Sequence, residues 1–530
     1  MMIGKWFKLK STIVGVISLL LIGAGFTSFS EAGSTDDVDL KSTSFIASLK
    51  NDARMKARRP PQRVAVVGGG IGGSSATYFL RHLFGNDVKV DLFEPSGRLC
   101  GRVATVDVAG RSYESGGSVI HDKNFYAKAI AKNFGLKEVN DDTGNGRLGF
   151  FDGEEYVLET SPWYLITLFR MLWAFGLDLF RLKSVESEFM NKFIGIYNLH
   201  KQGQSFSSVK DLLHATGGDT FVNSTEITSC KLFREKGIGD RMIDWLVNGG
   251  LRANYGQDCH VNGFVGCVSM AGIQSTLWAV DGGNKQLCEK LVESSKCNVL
   301  SERVTTVRKT STGRFSVDTE NTTNRFYDLV VITTPINRDK SKIDVSGACG
   351  EGVAVPSATE DKRHYRRTVA TFVKGKLNRT LFNCDSLQSC PESSLMTNGN
   401  LFYRSVGLHV PVNFDPKKGD TIETGVYKVF STSSLSNEQI ATLFEGHSEV
   451  KEVDWFAYPQ YQPPDRLETF VLNKEGLYYV SPVEWAASAI EMSLISAKNV
   501  ALLAFNNWYG IEENIYARGK NQNIKDKSEL

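Results

Sequence analysis

The sequence predicts an α/β fold: a Rossmann-type domain with a second domain of mixed antiparallel sheet and helices inserted into it. Three observations carry this. Residues 64–93 read as strand, glycine-rich turn, helix, strand. Short β-branched runs recur much later, at 326–333, 368–374, 424–430 and 477–480. A helical pattern rich in Ala, Met, Leu and Ile then follows over 483–505.

The first element is the best defined. Residues 64–67 (Val-Ala-Val-Val) form an apolar strand, residues 68–73 (Gly-Gly-Gly-Ile-Gly-Gly) a turn, and residues 74–84 a helix with Ala76, Phe79, Leu80 and Leu83 on one face. Residues 88–93 return as a second strand. The turn fits G-x-G-x-x-G at Gly68, Gly70 and Gly73, with Gly72 inside it. Gly68 permits the tight turn, Gly70 lets the backbone approach a pyrophosphate, and Gly73 lets helix and strand pack closely. The helix N-terminus offers free N–H groups and partial positive charge to phosphates. Glu94, at the end of the second strand, suits both ribose hydroxyls of an adenosine and disfavours a 2′-phosphate.

The next residues distinguish FAD from NAD. Glu94, Arg98, Gly101, Arg102 and Thr105 match E-x-x-x-R-x-G-G-R-x-x-T, and the sequence here resembles the amine-oxidase class of flavoproteins. Cys100 departs, standing where that class has the first Gly of the pair. The resemblance implies non-covalent FAD, with Arg98 and Arg102 near its phosphates and ribityl chain and Gly117-Ser118 near the flavin. It also implies adenine contact from the Val304 backbone, and Glu484 at the start of the last helix. The Gly usual before that acid is replaced by Ser481-Pro482-Val483. The longer runs 114–121 (Glu-Ser-Gly-Gly-Ser-Val-Ile-His) and 476–493 resemble the prenylcysteine oxidase family, over roughly residues 63–510. That resemblance implies oxidation of the carbon next to sulfur in farnesyl- or geranylgeranyl-cysteine, with dioxygen and water consumed and a prenyl aldehyde, cysteine and hydrogen peroxide released. His121 is the candidate proton carrier, a structural histidine being the alternative. The same class leaves an amine or lipid oxidase, or a flavin-bearing lipid-binding protein, as rivals.

The predicted order is a signal peptide at 1–32, a linker at 33–62, and FAD-domain segments at 63–125, 275–335 and 476–510. Substrate-domain segments occupy 126–274 and 336–475, and a C-terminal tail occupies 511–530. The signal peptide rests on Lys5, Lys8 and Lys10 before an apolar run from Ile13 to Phe26, shorter than the ~20 residues of a membrane span. Residues 161–182 are strongly apolar, interrupted by Arg170 and Asp178, and could serve as a tunnel wall, a membrane-docking face or a plain core helix. Sequons at Asn223, Asn321 and Asn378 fit a luminal protein. Nine cysteines leave at least one unpaired; Cys384 and Cys390 are the best local bridge, and the spacings do not resemble a zinc site. The family suggests the lysosome, and the ending Lys527-Ser528-Glu529-Leu530 leaves ER retention open. Lys+Arg of 61 against Asp+Glu of 59 gives no reason to expect nucleic acid.

Overall fold

The computed structural model describes residues 38–140, 146–272, 276–415 and 425–517. The signal-peptide segment and the Lys527–Leu530 ending lie outside these.

A six-stranded sheet runs in the order Asn298–Leu300, Lys89–Phe93, Arg63–Val67, Leu329–Ile332, Leu477–Tyr479, Val471–Asn473. The first five strands are parallel and the last is antiparallel. Central strands of such a sheet are covered on both faces and so read as unbroken apolar runs. Val64 and Val66 face one core, with helices Ile71–Phe84 and Ile490–Tyr509. Ala65 and Val67 face another, against a three-stranded sheet of Val304–Lys309, Phe315–Thr319 and Arg325–Tyr327. The run expected as one strand at 326–333 is thus two, one in each sheet.

The second large sheet has seven strands, in the order Phe444–Pro459, Tyr365–Leu377, Val426–Ser431, Tyr403–Leu408, Ser393–Met396, Leu148–Phe151, Tyr156–Glu159. Helices between residues 178 and 271 extend the main core beside it. The fold is α/β with a mixed, largely antiparallel second sheet, as expected.

Four expectations need correction. The supposed linker is folded from residue 38: helices Thr43–Ser48 and Ala53–Ala57 dock on the last long helix. Phe45 is 4% exposed, with its ring 5.7 Å from that of Phe505. The Lys498 ammonium donates to the Leu40 carbonyl at 3.0 Å and to Ser42 Oγ at 2.6 Å. Phe45, Ile46 and Leu49 form only a short apolar cluster in a polar stretch, yet with Leu40 they pack on the main core. The C-terminal tail is likewise folded through residue 517: Ile511 is buried, and Ile515–Tyr516 pairs with Ser205–Phe206.

The apolar stretch 161–182 is not one helix. It breaks at Gly176 (φ 54°) between helices Tyr164–Phe175 and Asp178–Phe193. It is not a plain core helix either, since Trp163, Leu165, Phe169, Trp173 and Leu177 are between 66% and 82% exposed. No described helix is long and apolar enough to cross a membrane. Finally, Glu484 does not open the last helix. Pro482 sits in a 3₁₀ turn, Ser481–Trp485, and the helix begins at Ile490.

Cys384 and Cys390 pair, as do Cys100 with Cys288 and Cys230 with Cys259. Cys267, Cys297 and Cys349 are free.

Phe45→Ala is expected to lower stability by about 3–4 kcal/mol, seen as a clear drop in the thermal midpoint. An unchanged midpoint would return residues 38–62 to the status of a linker.

Candidate functional site

The glycine turn leaves space at one position and none at another. Gly68 has φ +108°, and its N–H donates to the Phe93 carbonyl at 2.8 Å. A Cβ on Gly73 would stand 1.7 Å from the Gly68 oxygen, so helix and turn pack with no room for a side chain. A Cβ on Gly70 would meet no atom within 4 Å. The turn is therefore closed on the protein side and open at Gly70, where a phosphate would approach. At its rim, Glu94 Oε2 accepts from the Gly69 N–H and Oε1 from the Ser96 N–H, each at 2.8 Å. The carboxylate is fixed in place and keeps lone pairs for hydroxyl donors. Val304 begins its strand four residues beyond Leu300, whose carbonyl accepts from Glu94 N–H at 2.9 Å.

A second layer crosses this turn. Cys100 N–H donates to the Gly69 carbonyl at 2.8 Å, and a Cβ on Gly101 would stand 3.4 Å from the Gly70 Cα. Cys100 adopts φ +75°, the left-handed region that Gly occupies without strain. The disulfide to Cys288 holds it there, which gives the departure from the Gly-Gly pattern a structural role. Arg98 donates to the Gly101 carbonyl at 2.7 Å, bracing its own loop.

Arg102 forms a bidentate ion pair with Glu484, at 2.6 and 2.8 Å, and donates to the Ala457 carbonyl at 2.6 Å. Glu484 is 4% exposed; Tyr365 donates to its carboxylate at 3.3 Å, and Tyr461 to its main-chain carbonyl at 3.0 Å. The neighbouring carboxylate holds the guanidinium charged against the cost of burial. Lys340 stands 5.0 Å over the Tyr365 ring, and burial together with Arg102 pushes its ammonium down to about 7. The two residues thus meet each other, a pairing that sequence reasoning had not made.

The Arg102 main chain then fixes the next motif. Its carbonyl accepts from Gly117 N–H at 3.1 Å and lies 1.8 Å from where a Cβ on Gly116 would be. Asn284, fully buried, donates to the carbonyls of Gly117 at 2.8 Å and Ser118 at 3.0 Å, and its N–H donates to Glu114 at 2.6 Å. Burial pushes the Glu114 carboxyl up to about 7. Lys428 donates to Ser118 Oγ at 3.0 Å. Sequence reasoning missed Asn284 and Lys428; the run Gly282-Gly283-Asn284 between a strand and a helix was the available signal.

Among the described residues, His121 makes no hydrogen bond to this group. Its Nδ1 accepts from Lys123 N–H at 2.9 Å, and burial pushes its pKa down. Asn223 and Asn321 are exposed, whereas Asn378 donates its side-chain amide to the Thr442 carbonyl at 2.8 Å.

A family model described as prenylcysteine lyase matches residues 158–517. The chain belongs to the prenylcysteine lyase family. A model described as an NAD(P)-binding Rossmann-like domain matches residues 66–134, which hold the glycine turn and Glu94. Prenylcysteine oxidase 1 of Bos taurus is 38% identical over 88% of this chain and 93% of its own, and that of Homo sapiens is 36% identical over 88% and 94%. Human prenylcysteine oxidase 1-like is 36% identical over 85% and 91%. Among solved structures, a fatty acid isomerase from P. acnes superposes with TM-score 0.54 at 14% identity, covering 82% of this chain and 97% of its own. Cyclohexylamine oxidase from Brevibacterium oxydans does so with TM-score 0.52 at 13% identity, covering 86% and 100%. These two share the fold of the family.

Two glycine variants separate cradle from scaffold. Gly70→Ala is expected to leave the melting midpoint of the apoprotein within about 2 °C and to weaken FAD retention at least tenfold, by about 1.4 kcal/mol or more. Gly73→Ala is expected to prevent folding. Equal FAD retention by Gly70→Ala and wild type would remove the cradle from the pyrophosphate site.

Proposed function

We propose that this chain is an FAD-dependent thioether oxidase that cleaves prenylcysteine, consuming dioxygen and water and releasing a prenyl aldehyde, cysteine and hydrogen peroxide. The observation that carries the reading is the match to prenylcysteine oxidases along nearly the whole chain, with every element of the dinucleotide cradle intact. FAD when bound supplies the hydride acceptor for the carbon next to sulfur and a route for the electrons to dioxygen.

The protein's part is to bind, orient and exclude water. Glu94 offers its fixed carboxylate to the ribose, and the bare Gly70 backbone offers the pyrophosphate its approach. Glu484 positions Arg102, and Arg102 and Asn284 together hold Gly117-Ser118. Tyr365 and Tyr461 donate to Glu484, and Tyr461 and Tyr458 in turn pack edge-on against Tyr255 of helix Asn248–Tyr255, the Tyr255 and Tyr458 ring centroids 4.9 Å apart. Such a wall desolvates the reacting carbon. Burial of the prenyl chain, at ~0.8 kcal/mol per CH₂, is the main source of affinity.

The exposed face of helix Tyr164–Phe175 is read as the approach to lipid. Trp163 and Trp173 stand near its two ends, as aromatic residues do at a membrane interface. Arg170 on this helix and Arg241, which donates to the Ala174 carbonyl at 3.3 Å, suit anionic headgroups. Three disulfides support a secretory-pathway location, the lysosome first.

Mixing the purified holoenzyme with farnesylcysteine in air is expected to release peroxide and free thiol together, and anaerobic mixing to bleach the flavin bands. Peroxide from an amine without free thiol would instead establish an amine oxidase. Replacing Trp163, Phe169 and Trp173 together by Ser is expected to abolish co-flotation with phosphatidylcholine–phosphatidylserine vesicles. Retained flotation would place the lipid-facing surface elsewhere.

A further inference from the structure

Three arginines gather at one cavity without an ion pair, Arg252 and Arg404 in its wall and Arg366 beside it, near Gly256. Arg252 comes from helix Asn248–Tyr255, Arg366 from strand Tyr365–Leu377 and Arg404 from strand Tyr403–Leu408. Arg252 is 9% exposed, and the other two are half-buried. Arg252 donates to the Met396 carbonyl at 3.3 Å and to that of Thr397. Arg404 donates to the Gly399 and Leu401 carbonyls at 2.6 and 3.2 Å, and Arg366 to the Gln460 side chain at 3.3 Å. Among the described residues, none of the three forms an ion pair. Neighbouring arginines are treated differently: Arg367 pairs with Asp454, and Arg363 with Asp361 and Glu468. The acid that acts on all three is Asp258, which is itself engaged by His260. Burial pushes all three guanidinium groups down, and Arg366 and Arg252 push Arg404 down further.

Uncompensated cations so placed are costly unless something negative joins them. Two buried polar atoms there, Arg366 Nε and Thr368 Oγ1, have no hydrogen-bond partner. Arg252, Arg404, Thr368, Phe430 and Tyr458 line a cavity of about 10 Å³, the room of about one water, with the Asp454-paired Arg367 at its edge. Its position is telling. Thr368 pairs directly with Trp455, so their side chains share a face of the seven-stranded sheet. Trp455 comes within 2.9 Å of where a Cβ on Gly116 would be, beside the Gly117-Ser118 segment. The cavity therefore lies on the sheet face turned toward the dinucleotide domain, with the aromatic ring of Tyr458 in its wall.

We propose that this cavity is a carboxylate subsite, and that Arg252, Arg366 and Arg404 receive the α-carboxylate of the cysteine part of the substrate. The inference rests on the prenylcysteine reading above. A planar carboxylate matches the guanidinium fork, can place one oxygen in the water-sized space and supplies the ion-pair partner that the three lack. The prenyl chain then extends away from the arginines along the apolar side of the site.

The test compares S-farnesylcysteine with S-farnesylcysteamine, which keeps thioether and amine but lacks the carboxylate. Wild-type holoenzyme is expected to favour the acid in kcat/KM by about tenfold or more, mostly through KM. Arg404→Gln and Arg366→Gln, each checked for an unchanged flavin spectrum and melting midpoint, are expected to bring that ratio toward one. Arg404→Lys is expected to restore part of it. Wild-type turnover of both probes with equal kcat/KM, or variants that keep the full preference, would overturn the subsite and leave the oxidase reading standing. Turnover of neither probe by wild type would overturn both.

Discussion

The ion pair between Arg102 and Glu484 is the constraint on which the site depends. It joins residues 382 apart in sequence through two short contacts, and its Glu484 carboxylate is buried while Arg102 is half-buried. Breaking such a pair leaves a buried charge without compensation, which is the expensive outcome. The pair therefore fixes three stretches at once: the loop over the glycine turn, the 3₁₀ turn before the last helix, and, through the Ala457 carbonyl, a strand of the second sheet. The Arg102 carbonyl passes the same order to Gly117.

The dinucleotide cradle was legible because its demands are local. A turn that must admit a phosphate at Gly70 and a helix at Gly73 can be written only with glycines, and the acid must end the adjoining strand. Both strands and the helix end lie within a residue of the expectation, while the helix begins at Ile71, inside the stretch read as turn. Arg102 and Glu484 were each legible as residues but not as partners, since nothing in spacing reveals a contact across the whole chain. Asn284 was missed because a single amide that binds backbone carbonyls leaves no periodic trace. Leu40 and Phe45 were misplaced in a linker for a different reason: with Ile46 and Leu49 they make only a short cluster in a polar stretch, and their partner, the last helix, lies far along the chain. The three arginines were invisible for a further reason, since what marks them is the absence of an ion pair among the described residues, a property of three dimensions only.

The second domain faces two opposite kinds of matter. Helix Tyr164–Phe175 presents large apolar side chains outward, while the cavity among Arg252, Arg366 and Arg404 presents charge inward. An amphiphile with a long hydrocarbon tail and a small charged head asks for this division. The exposed helix costs nothing in water only if it spends its time against something apolar.

The crosslink between Cys100 and Cys288 spans 188 positions and encloses the first segment of the second domain, including the exposed helix. Both ends lie in the dinucleotide domain. A protease that cut the chain at Gly176, the break between the two outward helices, would yield two polypeptides still covalently tied beside the cofactor cradle. In a degradative compartment, a single nick at the most accessible part of the surface would thus leave the dinucleotide domain in one piece, and the separation of the fragments would wait on a reductant.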